Sequence, residues 1–150
     1  MSEARQGQQK NSRKKILLAD DDRDDSEMFC EAVSEVDPTV ICFVATHGKE
    51  VLKKLDDGTF DIPDVIFLDL NMPQMNGWDC LKALKTHRTY QKIPVIIYST
   101  SSAERDIQKA RELGATYFLT KPDNYKELRH FIAILVRNID GDLPDVLRRR

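Results

Sequence analysis

No stretch of this 150-residue chain approaches the ~20 consecutive apolar residues that a membrane-spanning helix needs. Its start, MSEARQGQQKNSRKK, carries basic residues but no apolar segment, so it does not read as a secretory signal. Cysteine is scarce: Cys30, Cys42 and Cys80 lack metal-ligand spacing, and each sits inside an apolar pattern. That usage fits reduced core thiols of a cytosolic protein. His47, His87 and His130 show neither triad-like nor ligand spacing. A bias of charge is also missing. Charged residues make up 32% of the chain but the net charge is −2, which gives no overall pull toward nucleic acid. No internal repeat is visible, and no low-complexity segment beyond the first residues. These absences leave a soluble, cytoplasmic, single-domain protein with no membrane association as the expectation.

What is present is a regular alternation of short apolar runs and helical stripes. Residues 1–13 are polar and Gln-rich and read as a disordered arm. Ile16 to Ala19 is a buried strand ending in Asp20-Asp21-Asp22, and Met28, Phe29, Ala32, Val33 and Val36 then repeat at helical spacing. Asp24, Asp25 or Ser26 is the expected cap of that helix, and Asp37-Pro38 its stop. Val40 to Ala45 is a second strand, and Val51, Leu52 and Leu55 mark a second helix. The central segment DVIFLDLNMPQMNGW follows. Its apolar run from Val65 reads as a strand covered on both faces, with Asp69 at its carboxyl end before a loop forced by Pro73 and Asn76-Gly77.

A third helix is striped by Trp78, Leu81 and Leu84. Val95 to Tyr98 is a fourth strand, closed by Ser99-Thr100-Ser101-Ser102. Ile107, Ala110 and Leu113 line a fourth helix that Gly114 terminates. Ala115 to Leu119 is a fifth strand, ending in Thr120-Lys121-Pro122, and a last helix runs from Tyr125 to Ile139. The domain is expected over residues 14–139, with 140–150 as a short flexible tail. Strand and helix alternate five times with short connections. The expected fold is therefore α/β: a doubly wound, five-stranded parallel sheet, order 2-1-3-4-5, with helices on both faces.

In such a sheet ligands bind beyond the carboxyl ends of the strands. The ends gathered there are Asp20 and Asp21, Asp69, Ser99 and Lys121. Carboxylates crowded together repel by about 4 kcal/mol per pair at ~4 Å and an effective dielectric of ~20. Either some are protonated or a cation sits among them, and carboxylate and carbonyl oxygens with an open side suit Mg²⁺. A metal, a lysine and a hydroxyl around one carboxylate are what phosphoryl transfer requires, with Asp69 as nucleophile. Taken singly, each has a plainer reading: Asp69 as a turn cap, Ser99 as a satisfied strand-end hydroxyl, Lys121 as a turn residue, and Asp22, Asp24 and Asp25 as a solvated helix start.

The segments ILLADDD, VIFLDLNMPQMNGWD, PVIIYSTSS and ATYFLTKPD together resemble the receiver domain of two-component response regulators, over roughly residues 14–138. The resemblance implies a flavodoxin-like fold and Asp69 as phosphoacceptor. Mg²⁺ would be held by Asp21, Asp69 and the backbone carbonyl of Asn71, with Asp20 acting through water. It further implies Lys121 and Ser99 as catalytic partners, Ser99 and Phe118 as the switch pair, and a cis Lys121–Pro122 bond. Expected partners are a sensor histidine kinase or phosphotransfer protein and an unknown downstream protein. A homodimer is also open, and no DNA-binding output domain is expected, because too few residues follow position 138. The expected role is a signalling phosphoacceptor, with at most Mg²⁺-dependent self-phosphorylation and autodephosphorylation. A Mg²⁺-dependent phosphohydrolase is the competing enzyme reading, but Asn71 stands where its second Asp belongs. A flavin carrier would need a hydroxyl- and Gly-rich phosphate loop where this chain has aspartates.

Overall fold

Why the five apolar runs become strands is visible in where their side chains go. A computed structural model of the protein describes residues 13–148. It holds β1 (Lys15–Ala19), β2 (Ile41–Ala45), β3 (Val65–Leu68), β4 (Val95–Ser99) and β5 (Tyr117–Thr120) in one parallel sheet of order β2-β1-β3-β4-β5. Side chains alternate along each strand, so the run needs apolar residues on both sides. Ile16, Leu18, Val65, Phe67, Ile96 and Tyr98 enter one core, with α1 (Arg23–Val36) and α5 (Tyr125–Arg137). Leu17, Ala19, Ile66, Leu68 and Ile97 enter the other, with α2 (Gly48–Asp56), α3 (Gly77–Thr86) and α4 (Glu104–Glu112). Phe29 and Phe67 meet edge-on at 4.8 Å between ring centroids, pinning α1 to the central strand.

The helix starts differ in detail from the sequence reading. Asp22 caps α1, accepting from the Asp25 backbone N–H at 3.0 Å, so the helix begins before the residues expected to cap it. A carboxylate just ahead of the first turn satisfies an orphan N–H and opposes the helix dipole. His47, which shows no triad-like or ligand spacing, caps α2 through Nδ1, which accepts from the Glu50 N–H at 3.1 Å. Asn76 and Asn124 cap α3 and α5 in the same way.

Three expectations for the chain's periphery need comment. The arm expected over 1–13 lies outside the described residues except for Arg13, whose Nε donates to the Thr39 carbonyl. The flexible tail is corrected in part. Leu143–Arg148 forms a short helix, α6, whose Leu143 and Leu147 are buried in the α1/α5 core and which packs against β5. The Lys121–Pro122 bond is trans, since no peptide bond among the described residues is cis. Trans is the favoured isomer by ~0.5–1 kcal/mol even before proline. Among the described residues no helix is long and apolar enough to cross a membrane.

Candidate functional site

The sheet register delivers the strand ends to one place. Ala19, Ala45 and Leu68 lie side by side, so the chain leaves β1 and β3 together, and Asp20 and Asp69 emerge as neighbours. Their backbones are fixed before their side chains are considered. Asp69 donates its N–H to the Ala19 carbonyl, and Asp20 donates to the Ala45 carbonyl, both at 2.9 Å. On the other side, Lys121 donates its N–H to the Ser99 carbonyl at 2.7 Å, which sets the end of β5 against that of β4.

The loop after Asp69 returns as α3, and Gly77 is the residue that permits it. A Cβ there would collide with the Asp69 carbonyl and crowd the Leu70 Cα, while the Gly77 N–H bonds the Leu70 carbonyl at 3.0 Å. The sequence marked Gly77 only as a turn former; its necessity comes from this close approach. Within the same loop Gln74 adopts a φ of 64°, a left-handed conformation rare for a residue with a side chain.

Lys121 is the hub. Its Nζ lies 2.9 Å from Asp20 Oδ2, 2.8 Å from Asp25 Oδ2 and 3.7 Å from Asp69 Oδ2. Burial works against its charge, but the bonds to Asp25 and Asp20 and the charges of Asp20 and Asp69 outweigh this and hold it above the usual lysine range. The Tyr98 ring lies 5.2 Å from the ammonium and walls the site from the core. Asp20 is 1% exposed, and its other oxygen accepts from the Asp22 N–H at 2.9 Å. Asp69 is 8% exposed. Burial pushes its carboxyl up, Lys121 opposes and Asp20 adds to the rise, leaving it at about 6.

Asp20, Asp21 and Asp69 can bring one oxygen each within 4.8 Å of one another, two of them buried and Asp21 exposed. An all-oxygen set with one open side fits a hard divalent cation that keeps some of its waters. Asn71 stands beside this group, its N–H 3.5 Å from Asp69 Oδ1. Ser99 is 1% exposed and ends β4 next to Lys121, but its Oγ accepts from the Ser101 N–H at 3.1 Å. Phe118 stays outside, half-buried against the α2/α3/α4 core. Pairing of Ile97 with Phe118 and of Ser99 with Thr120 places Ser99 and Phe118 on one face, a diagonal step apart.

Asp25 was missed as a site residue. It was set aside as part of a solvated helix start, and its role depends on α1 beginning at Arg23, which turns the first turn toward Lys121. Recognising Asp22 as the cap would have exposed it.

Comparison with known proteins agrees with this geometry. A sequence model of the response regulator receiver domain matches residues 16–133. The transcriptional regulatory protein CpxR of Escherichia coli K12 is 40% identical over 124 residues, covering 82% of this chain and 49% of CpxR. The phosphorylated cyanobacterial phytochrome response regulator RcpA superposes with a TM-score of 0.75 at 29% identity, over 81% of this chain and 90% of that one. The Mn²⁺-bound form of the response regulator Rcp1 does so with a TM-score of 0.69 at 29% identity, over 81% and 91%.

The chain thus spans about half the length of the curated relatives it matches. This corrects the expectation of a protein with no DNA-binding output domain, because the relative sharing this domain is a transcriptional regulator. The physical reason is that a receiver buries its own two cores, so its sequence is silent on what accompanies it. Five parallel strands in this order, acids and a lysine at their shared edge, and the match over residues 16–133 lead to one conclusion. The chain belongs to the response regulator receiver domain family, the phosphorylation-switched modules of two-component signalling.

Proposed function

We propose that Asp69 is the phosphoacceptor of this receiver, taking its phosphoryl group from the phosphohistidine of a sensor histidine kinase or phosphotransfer protein in the cytoplasm. The observation that carries this is the placement of Lys121 Nζ 3.7 Å from an almost buried Asp69 whose other neighbours are acids. An Asp69 oxygen attacks phosphorus, a P–O bond forms, and the P–N bond breaks with its electron pair and a proton going to the imidazole. The cation held by Asp20, Asp21, Asp69 and the Asn71 carbonyl would be Mg²⁺, which when bound neutralises charge on the transferring oxygens. Mn²⁺ in Rcp1 supports a divalent ion at such a cluster.

Lys121 supplies the fixed positive charge beside the acceptor. It reaches the new phosphoryl oxygens by loosening its bonds to Asp20 and Asp25. Ser99 offers a hydroxyl donor from the same edge, at the end of β4. The product is a signal rather than a released metabolite, and water attack on the acyl phosphate is the only turnover expected.

Incubation with acetyl phosphate and Mg²⁺ should label the chain, and Asp69→Asn should abolish labelling while preserving the circular dichroism spectrum. Chelation should abolish it in the wild type. Full labelling of Asp69→Asn would refute the assignment, and sustained phosphomonoester hydrolysis would favour the hydrolase.

A further inference from the structure

Outside the acidic site, two sulfurs of this chain are closer than packing alone requires. Cys30 lies on α1 and Cys42 on β2, and their Sγ atoms are 2.8 Å apart, inside the van der Waals separation of two sulfurs. A disulfide bond needs ~2.05 Å, so a shift of under an ångström would close one. Both thiols are free and partly exposed. Cys30 also lines a surface depression with Arg23, Glu27, Thr46 and the acidic pair Asp20 and Asp21, which gives a small oxidant access. Cys80 is a built-in contrast: it is buried, its thiol points to the Gly48 carbonyl, and burial pushes its pKa up to about 12.

We propose that Cys30 and Cys42 are a reversible modification site, oxidised by peroxides to an intramolecular disulfide that ties α1 to β2 and reopened by dithiol reductants. The hydrogen bond from the Cys42 S–H lowers the Cys30 pKa, making Cys30 the attacking sulfur. Its thiolate attacks a peroxide oxygen, an S–O bond forms, the O–O bond breaks, and hydroxide leaves to take up the thiol proton as water. The Cys42 sulfur then attacks the sulfenic sulfur. An S–S bond forms, the S–O bond breaks, and the departing hydroxide takes the Cys42 proton as a second water. Two thiols are oxidised and one peroxide is reduced. The tether fixes the helix whose first turn carries Asp25, a partner of Lys121. In a reducing compartment the bridge would last only as long as the oxidant.

The test is peroxide treatment of the full chain, alkylation of remaining thiols, and digestion at glutamate. Glu31 and Glu35 lie between the two cysteines, so a bridge appears as two peptides joined through sulfur. The expected result is that linked pair, near-complete loss of alkylation at Cys30 and Cys42, and full return of alkylation after dithiothreitol. Cys80 should be alkylated only after unfolding, whether or not peroxide was added. Cys30→Ser, at the more accessible sulfur, should abolish the linked pair, and Cys42→Ser should do so independently while leaving Cys30 open to over-oxidation. Both cysteines remaining alkylatable after peroxide, or a bridge formed only between chains or to Cys80, would overturn the proposal.

Discussion

Burial and a neighbouring acid both work against the charge of Asp69. Its carboxyl, pushed to about 6 chiefly by burial, binds a proton more tightly in the folded protein than in the unfolded chain, where about 3.8 applies. The folded state therefore holds more protons between these values, and stability falls as pH rises from ~4 to ~6. A shift of this size corresponds to about 2–3 kcal/mol by pH 7, at roughly 1.4 kcal/mol per unit. Without divalent metal, Asp69→Asn should therefore be more stable than the wild type at pH 7, by up to that amount, with the gain shrinking toward pH 4. Urea unfolding of both proteins across this range in chelator checks it; a gain that grew on acidification would contradict the sign. Asp20, Asp21, Asp69 and Lys121 were legible in the sequence because each follows an apolar run whose end fixes its place. Asp25 was not, since its direction depends on where a helix begins, and a cap at Asp22, two to four residues earlier than expected, changes that.

The helices and loops show how local pattern and tertiary contact share the work. The stripes of α1 and α5 were plain in the sequence because both helices bury a continuous face against the sheet. The tail was not. Six residues are too few to be helical alone, and α6 exists because Leu143 and Leu147 find room beside α5 and β5. Leu147 is 1% exposed. Leu147→Ala should destabilise the domain by about 2–3 kcal/mol, near the low end for a buried leucine because a terminal helix can fray instead. A chemical-denaturation midpoint indistinguishable from wild type would show that α6 contributes nothing to the fold. The same contact places Arg148 near Phe118, lining a cavity with Ile107 and Tyr117. The end of the described chain thus borders Phe118, one of the two residues expected to switch.

For the whole molecule the issue is how a phosphoryl group at one sheet edge alters a distant face. A signal that moves a population from 1:99 to 99:1 must favour the active state by ~5.5 kcal/mol. Two or three charge-assisted hydrogen bonds, at roughly 1.5–3 kcal/mol each, can supply that. Lys121, 3.7 Å from Asp69, and Ser99 at the end of β4 are the donors proposed for them. Moving Ser99 toward Asp69 would break its bond to the Ser101 N–H and free space on the face it shares with Phe118. Ser101 is itself tied to the start of α4, since its Oγ donates to Asp106 at 2.7 Å and accepts from the Ala103 N–H. The disturbance should therefore spread through α4, β5 and the start of α5. Amide hydrogen exchange of wild type and Asp69→Asn, with and without beryllofluoride and Mg²⁺, tests this most directly. The account predicts altered protection across residues 100–135 in the wild type and none in Asp69→Asn. Unchanged protection there in the wild type, or the same change in both proteins, would contradict it.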